Sequence, residues 1–345
     1  MKHNIYYRNP ENDRLEAKEF ADAELSLLRI ADPIAQNVVQ GFTPVGNVGD
    51  QLFPIFKTAK ESGRFPAFGK EVFVIPGNLK RALGEKIQRL NMQTGYVQIA
   101  LSEYAEGVAI ENRERNEWGG TPDQLVNMKL LTVAGRIANL REQKQAVLAT
   151  TSGSYASGNS ASGATNKWAT DGAPIYDLRQ GKITIEKKIG RSPNVAWFTP
   201  TAWELFLNNR DVKQTLKGLF SFGSATPGIV TPAMAAAALE VDKVIIGRAV
   251  YGTGAANGAD GGVKKSALTM NYLWEATNNA CAGLAYVGSA SGMEPSFGYT
   301  YERMNSPVVE SYYENQTKSQ VWDYEHFFEP AVTLNEAGYL LYAIA

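Results

Sequence analysis

Few residues in this 345-residue chain have types and spacing that suggest chemistry. Gly252-Thr253-Gly254-Ala255-Ala256-Asn257-Gly258 comes near a dinucleotide fingerprint, whose glycines let backbone approach a pyrophosphate at a helix N-terminus. The match fails at the third glycine position, which holds Asn257, and Ala259-Asp260-Gly261-Gly262 opens no helix behind it. The stretch from Gly252 to Gly262 therefore reads as a flexible loop tip. Lys264-Lys265-Ser266 and Gly181-Lys182-Ile183 lack the glycine spacing of a phosphate loop, and no G-x-S-x-G elbow occurs. Glu111, Glu114 and Glu117 cluster with Arg113 and Arg115 between them. A carboxylate pair can serve glycoside hydrolysis, but a solvated or interface patch is the commoner use of such a run. The only cysteine, Cys281, cannot form an internal disulfide and reads as a small buried hydrophobe. Two histidines, His3 and His326, are too few for a zinc site or a histidine acid/base pair. Asn315-Gln316-Thr317 matches a glycosylation sequon, which means nothing without a secretion signal. The sequence predicts no catalytic, cofactor-binding or metal-binding residue.

Composition narrows the classes further. Apolar residues make up 44% and charged residues 20%, and the formal charge is -1. That balance allows a sizeable core and lacks the basic stripe of a nucleic-acid binder. The N-terminal stretch has no apolar h-region, and no apolar run approaches the roughly 20 residues that span a bilayer. The expectation is a chain that begins in the cytoplasm where it is made, with no membrane partner.

The elements fall into an unusual order. Residues 1–45 read as an arm, with a short helix from Asp13 to Ile30 that Ala31-Asp32-Pro33 ends. Residues 46–105 mix glycine and proline with extended pieces at 51–56, 71–76 and 95–101. Between the later two lies a basic stretch, Asn78 to Lys86. This region reads as a long two-stranded excursion with a polar tip and too little core to fold alone. Thr121-Pro122-Asp123-Gln124 then carries a capping-box pattern. A long helix follows to about Thr150, its narrow apolar face set by Val126, Leu130, Val133, Ile137, Leu140, Lys144 and Val147. Ser152 to Gly163 is low-complexity and reads as a mobile loop.

After Trp168 the pattern is that of a compact α/β region. Pro174 to Ile189 reads as a helix packed by Ile175, Leu178, Ile183 and Ile185, with Gly181 as a possible break. Val195–Phe198 reads as a buried strand. Thr199-Pro200 and Thr231-Pro232 each open a helix, and residues 243–250 read as a strand. Further strands are expected near 283–287, 296–303, 308–313 and 318–328, with an apolar closing strand at 338–344. No solenoid repeat is present.

That order resembles the HK97-type fold of tailed-phage major capsid proteins. The local match is Pro174-Ile175-Tyr176-Asp177-Leu178, then Pro193-Asn194, the strand Val195–Phe198 and a helix containing Trp203. Ala173 stands where relatives often carry aspartate. The resemblance implies an α+β, HK97-like capsid fold. Its parts would be an N-arm (1–45), an extended E-loop hairpin (46–105), a P-domain (106–189, spine helix 122–150, late strands 299–329) and an α/β A-domain (190–298, C-terminal strand 330–345). It implies a major capsid protein, not an enzyme, that self-assembles as hexamers and pentamers into an icosahedral head enclosing phage DNA. The virion is its place, with assembly in the host cytoplasm. Implied partners are further copies of the chain, scaffolding, portal and decoration proteins, and weak, non-specific contact with packaged DNA.

Scaffolding would be a separate protein if the sequence is a full gene product, or a removed segment if it is processed. Some relatives crosslink an E-loop lysine to a neighbour's asparagine; Lys57, Lys60, Lys70, Lys80 and Lys86 lie in the implied loop, and nothing selects one. The inter-subunit contact is expected between basic tip residues Lys80, Arg81, Lys86 and Arg89 and an acidic surface of Glu111, Glu114 and Glu117. Phe73, Ile75, Leu79 and Leu83 are expected to carry the adhesion. Two alternatives stand beside this: an encapsulin-like compartment, and a soluble α/β enzyme using the Gly252 to Gly262 loop.

Overall fold

Threonine–proline pairs start three of the helices, because proline presets the first helical φ and the preceding threonine supplies a cap. Thr199 Oγ1 accepts from Ala202 N at 3.4 Å, and Thr231 Oγ1 accepts from Met234 N at 3.4 Å. At Thr121 the return half of the capping box forms: its backbone N–H donates to Gln124 Oε1 at 3.2 Å. These contacts come from a computed structural model. It describes residues 3–8, 15–20, 30–39, 44, 46–67, 80–81, 83–84, 86–87, 89, 95–162, 167–169, 172–220, 230–253, 269–276, 280–290 and 294–345.

In chain order the strands and helices begin with β1 (His3–Arg8), β2 (Leu15–Phe20), β3 (Ile30–Ala31), α1 (Pro33–Val39), β4 (Ile55–Thr58), β5 (Ser62–Ala67), β6 (Gly95–Ala100) and β7 (Ser102–Glu111). Then come α2 (Asn112–Glu117), α3 (Pro122–Thr150), β8 (Ser160–Ser162), α4 (Pro174–Ile189), β9 (Val195–Phe198), α5 (Pro200–Asn208), α6 (Arg210–Phe220) and α7 (Pro232–Leu239). The rest are β10 (Lys243–Ile246), β11 (Val250–Thr253), β12 (Thr269–Tyr272), β13 (Cys281–Ala285), β14 (Gly298–Arg303), β15 (Val308–Glu314), β16 (Ser319–Val332) and β17 (Gly338–Tyr342). The chain divides into two units, one of residues 1–43, 103–137 and 305–327, the other of 44–102, 138–304 and 328–345.

In the first unit β1 and β2 form an antiparallel hairpin. The helix expected from Asp13 is therefore a strand over Leu15–Phe20. Pairing with His3–Arg8 decides the local structure there, and so short a polar helix had no face to bury. Asp32-Pro33 starts a helix where the sequence reading had one ending. Asp32 Oδ1 accepts from Ala35 N at 3.0 Å, the geometry of an N-cap. β15 lies between β3 and β16, and β7 also pairs with β16. The core here includes Ile110, Leu125, Leu130, Val133, Ile137, Val309 and Trp322.

In the second unit five strands run in the order β10-β9-β13-β17-β8. β9 is buried at all four residues, as its unbroken apolar run requires. Phe198 meets Trp168, Trp203 and Phe206, and Trp197 meets Trp274 at 5.6 Å between ring centroids. Cys281 sits in β13 with no exposure, and burial pushes its thiol up to about 12, which suits a small core residue. Gly181 does not break α4. A Cβ there would lie 2.4 Å from the Tyr339 ring, so glycine is needed for helix and sheet to meet. Ile183, expected inward, is exposed, and Gly190 closes the helix at φ 64.

The low-complexity run, expected to be a mobile loop, is structured over its described residues 152–162. Tyr155 is buried and β8 adds to the edge of the sheet beside β17. Asn159 donates to Gly338 O at 2.7 Å and Glu336 O at 3.0 Å, which fixes the turn before β8. The expected strand at 243–250 divides into β10 and β11. Gly247 lies at the break, where a Cβ would come 2.2 Å from Trp274.

Gly283 tests this packing, since a Cβ there would come 2.6 Å from Trp197 and 2.6 Å from the Tyr339 carbonyl oxygen. Gly283→Ala is expected to cost about 2–3 kcal/mol, because a paired strand has little room to yield. Chemical denaturation checks it; unchanged stability would contradict the close approach.

Candidate functional site

The described base of the excursion expected at 46–105 lies inside the second unit. β5 and β6 pair antiparallel from Ser62 with Ala100 to Ala67 with Gly95. Phe65 and Ile99 sit on one side of this ribbon and pack with Phe56, Tyr299 and Tyr301. Ring centroids are 4.5 Å apart for Phe65 and Tyr301 and 5.6 Å for Phe56 and Tyr301. Burial raises the Tyr301 hydroxyl well above its ordinary value. Leu52 and Phe53 are fully buried. The region was expected to have too little core to fold alone; at its base, aromatic residues far along the chain supply the partners.

A row of polar side chains on the second half of α3 holds this root. Glu142 accepts from Val48 N at 3.0 Å, from Gly49 N at 2.9 Å and from Trp274 Nε1 at 2.7 Å. Gln145 donates to Asp50 and to Thr300 Oγ1, each at 2.8 Å, and Thr300 Oγ1 donates to Phe53 O at 3.1 Å. Arg141 pairs with Asp50 at 2.8 Å, Lys144 with Glu329 at 2.7 Å, and Lys57 with the nearly buried Glu302. A Cβ on Gly49 would fall 2.1 Å from Gln145 Oε1, so only glycine lets the backbone come this close. Burial raises the Glu142 carboxyl above its ordinary value, outweighing the three donors that favour its charge. The apolar face expected for α3 is corrected here: Glu142, Gln145, Ala146 and Ala149 are buried, whereas Lys144 is half-buried and Val147 is exposed.

Lys80, Arg81, Leu83, Lys86 and Arg89 are exposed. Phe73, Ile75 and Leu79 lie outside the described residues, as do Lys70 and most of the Gly252 to Gly262 loop. In the other unit β7 and α2 bring Glu111, Glu114 and Glu117 around one notch of about 410 Å³, together with Arg113 and Trp118. Glu114 pairs with Lys129 and Glu117 with Arg113, each at 2.7 Å. The sequence reading missed these internal pairs, and it missed Trp118, whose signal was a large aromatic beside Gly119-Gly120 in a polar stretch.

A second cavity of about 600 Å³ lies beside β11 and β12, lined by Val250, Tyr251, Met270, Tyr272 and Glu275 among others. Among the described residues no cluster of histidine, cysteine and carboxylates is arranged to hold a metal, and no helix is long and apolar enough to cross a membrane. The geometry can bind and position.

No protein-family model matches the chain. Over 329 residues it is 31% identical to the major capsid protein of Burkholderia phage BcepMu, covering 93% of this chain and 98% of that one. Among solved structures it is similar to a phage-related protein of Bordetella bronchiseptica, with TM-score 0.71 and 23% identity over 92% of this chain and 98% of that one. It is also similar to a putative capsid protein of an Escherichia coli CFT073 prophage, with TM-score 0.52 and 12% identity over 91% and 99% of the two chains.

Two substitutions probe the polar row. Glu142→Ala, which strands three buried donors, is expected to cost about 3–5 kcal/mol. Glu142→Gln is milder and removes a titration. The raised carboxyl makes the folded chain bind a proton more tightly than the unfolded chain. Wild type should therefore lose stability relative to Glu142→Gln as pH rises from about 4.5 through the raised value, and stay level above it. Denaturation midpoints of both proteins between pH 4 and 8 check this; parallel curves would contradict it.

Proposed function

The chain belongs to the tailed-phage major capsid protein family, and we propose that residues 46–105 of each copy fasten it into the shell by lying on the neighbouring copy. The protein forms the shell of a virion head and is structural, not enzymatic. Its fold is a mixed helix-and-sheet capsid fold of HK97 type. Kinship to a phage capsid protein favours a virion shell over a protein-filled compartment and sets aside the enzyme reading.

The finer assignment is ours. Residues 1–45 act as an N-arm, 46–105 as the E-loop, 106–189 with late strands 299–329 as the P-domain, and 190–298 with 330–345 as the A-domain. Copies join as hexamers and pentamers in the host cytoplasm. Scaffolding, portal and decoration proteins are its further partners, and packaged DNA meets the inner surface weakly and without sequence preference.

The observation that carries the contact is the exposed tip. Leu83 is entirely exposed, and Lys80, Arg81, Lys86 and Arg89 are exposed around it. Residues 80–89 hold four cations and one glutamate, while 103–117 hold five glutamates and two arginines. We assign the tip to the surface of Glu111, Glu114 and Glu117 on the next copy. Phe73, Ile75 and Leu79 add adhesion where the loop crosses its neighbour. Each exposed ion pair contributes at most about 1 kcal/mol, so the charges set register and the repetition around a capsomer makes the sum matter.

Reversing Lys80 and Arg81 to glutamate should leave the subunit's melting temperature within about 2 °C of wild type, since surface changes rarely exceed 0.5 kcal/mol. Shell yield in electron micrographs should fall at least tenfold, and Glu111→Lys with Glu114→Lys in the same chain should restore part of it. Normal shells from the first double variant would sink the contact.

A further inference from the structure

We propose that Trp118 is the seat into which Leu83 of a neighbouring copy inserts. This rests on the placement of the tip argued above and adds the residue that anchors it. Trp118 is the odd one among six tryptophans. Trp168, Trp197, Trp203, Trp274 and Trp322 are each 7% exposed or less, whereas Trp118 is 39% exposed and lines the acidic notch. Its pose is set locally. A Cβ at Gly120 would lie 2.7 Å from the Trp118 Nε1 atom, so the indole lies close against a backbone that only glycine leaves open. A ring held this way gives up little freedom when a partner arrives.

Leu83 is the matching half. It is 108% exposed, the largest exposure of any large apolar residue described. Gly84 follows with φ +85 and open space around it, so the chain turns sharply there and pushes Leu83 outward. Ile87, 72% exposed, flanks it one turn of sequence later. Complementary charge selects the occupant: the tip is net basic, the stretch around the notch net acidic, and the shell supplies the two surfaces on successive copies of one chain.

The internal pairs of Glu114 with Lys129 and Glu117 with Arg113 point to the aromatic residue as anchor. Carboxylates already partnered gain less from new cations, so they guide the approach and leave adhesion to apolar area. A preset tryptophan filled by an aliphatic side chain and rimmed by charges is the usual anatomy of an energetic centre in an interface.

Leu83→Cys combined with Trp118→Cys, oxidised in assembled shells, should give a ladder of linked subunits on a non-reducing gel that neither single variant gives. Cys281 is buried and stays out of the reaction. Carbodiimide treatment of wild-type shells should separately join Lys86 to a peptide carrying Glu111, Glu114 or Glu117. That link without the disulfide ladder would overturn the Trp118 seat and leave the charge contact standing; absence of both would overturn the two together. Acrylamide quenching needs no variant: tryptophan fluorescence of wild-type shells should be shielded, and shells with Leu83→Ala should lose that shielding. Ready quenching in wild-type shells would overturn the proposal.

Discussion

A single buried carboxylate ties three distant stretches of this chain together. Glu142 sits on the long helix and collects backbone donors from Val48 and Gly49 and the indole donor of Trp274. Burying a carboxylate is unfavourable unless its oxygens are satisfied, so the fold must bring all three donors to it at once. That demand fixes where the chain turns into the excursion, and Gly49 is there because any side chain would occupy the space of Gln145. The same turn of helix then reaches Asp50 and Thr300 through Gln145, and Glu329 through Lys144. A core of aliphatic residues would tolerate small slips along the helix. A row of directional bonds does not, and the register it fixes is passed to Phe56, Tyr301 and the ribbon root.

This separates the excursion into two parts with different physics. The root is bonded and aromatic, with Leu52 and Phe53 fully buried beneath it. The tip is charged and carries an entirely exposed leucine. A shell subunit needs such a division. The root must hold its direction in every copy, and the tip must keep surface exposed for a neighbour.

Signals confined to a few neighbouring residues were readable in the sequence. Thr121-Pro122, Thr199-Pro200 and Thr231-Pro232 start helices because the capping bond spans three residues. Val195–Phe198 declared its burial by an unbroken apolar run. Features decided by distant partners were not readable. Glu142 looks like a solvated helix charge until Gly49 and Trp274, 93 and 132 residues away, are placed beside it. Ser160–Ser162 looks like linker until Asn159 is bonded to Gly338. Leu15–Phe20 carries a pattern that suits either period, and pairing with His3–Arg8 decides it. The acidic cluster was legible with Arg113 inside it, but its partner Lys129 was not, because that pair depends on how α2 and α3 lie.

The near-zero net charge takes on meaning in this light. A shell of identical copies is built from heterologous contacts, in which a patch on one subunit meets a different patch on the next. Both patches must then be encoded in one polypeptide. Complementary charge on the two forces their sum toward zero, as the net basic residues 80–89 and the net acidic residues 103–117 do here. Strong charge of one sign would favour DNA or repel neighbours, and either would work against a closed container. Weak pairs repeated at every copy also allow a misplaced subunit to leave before the shell closes. In the proposed contact an aromatic seat supplies the adhesion that exposed charges cannot, so register and holding strength come from different side chains.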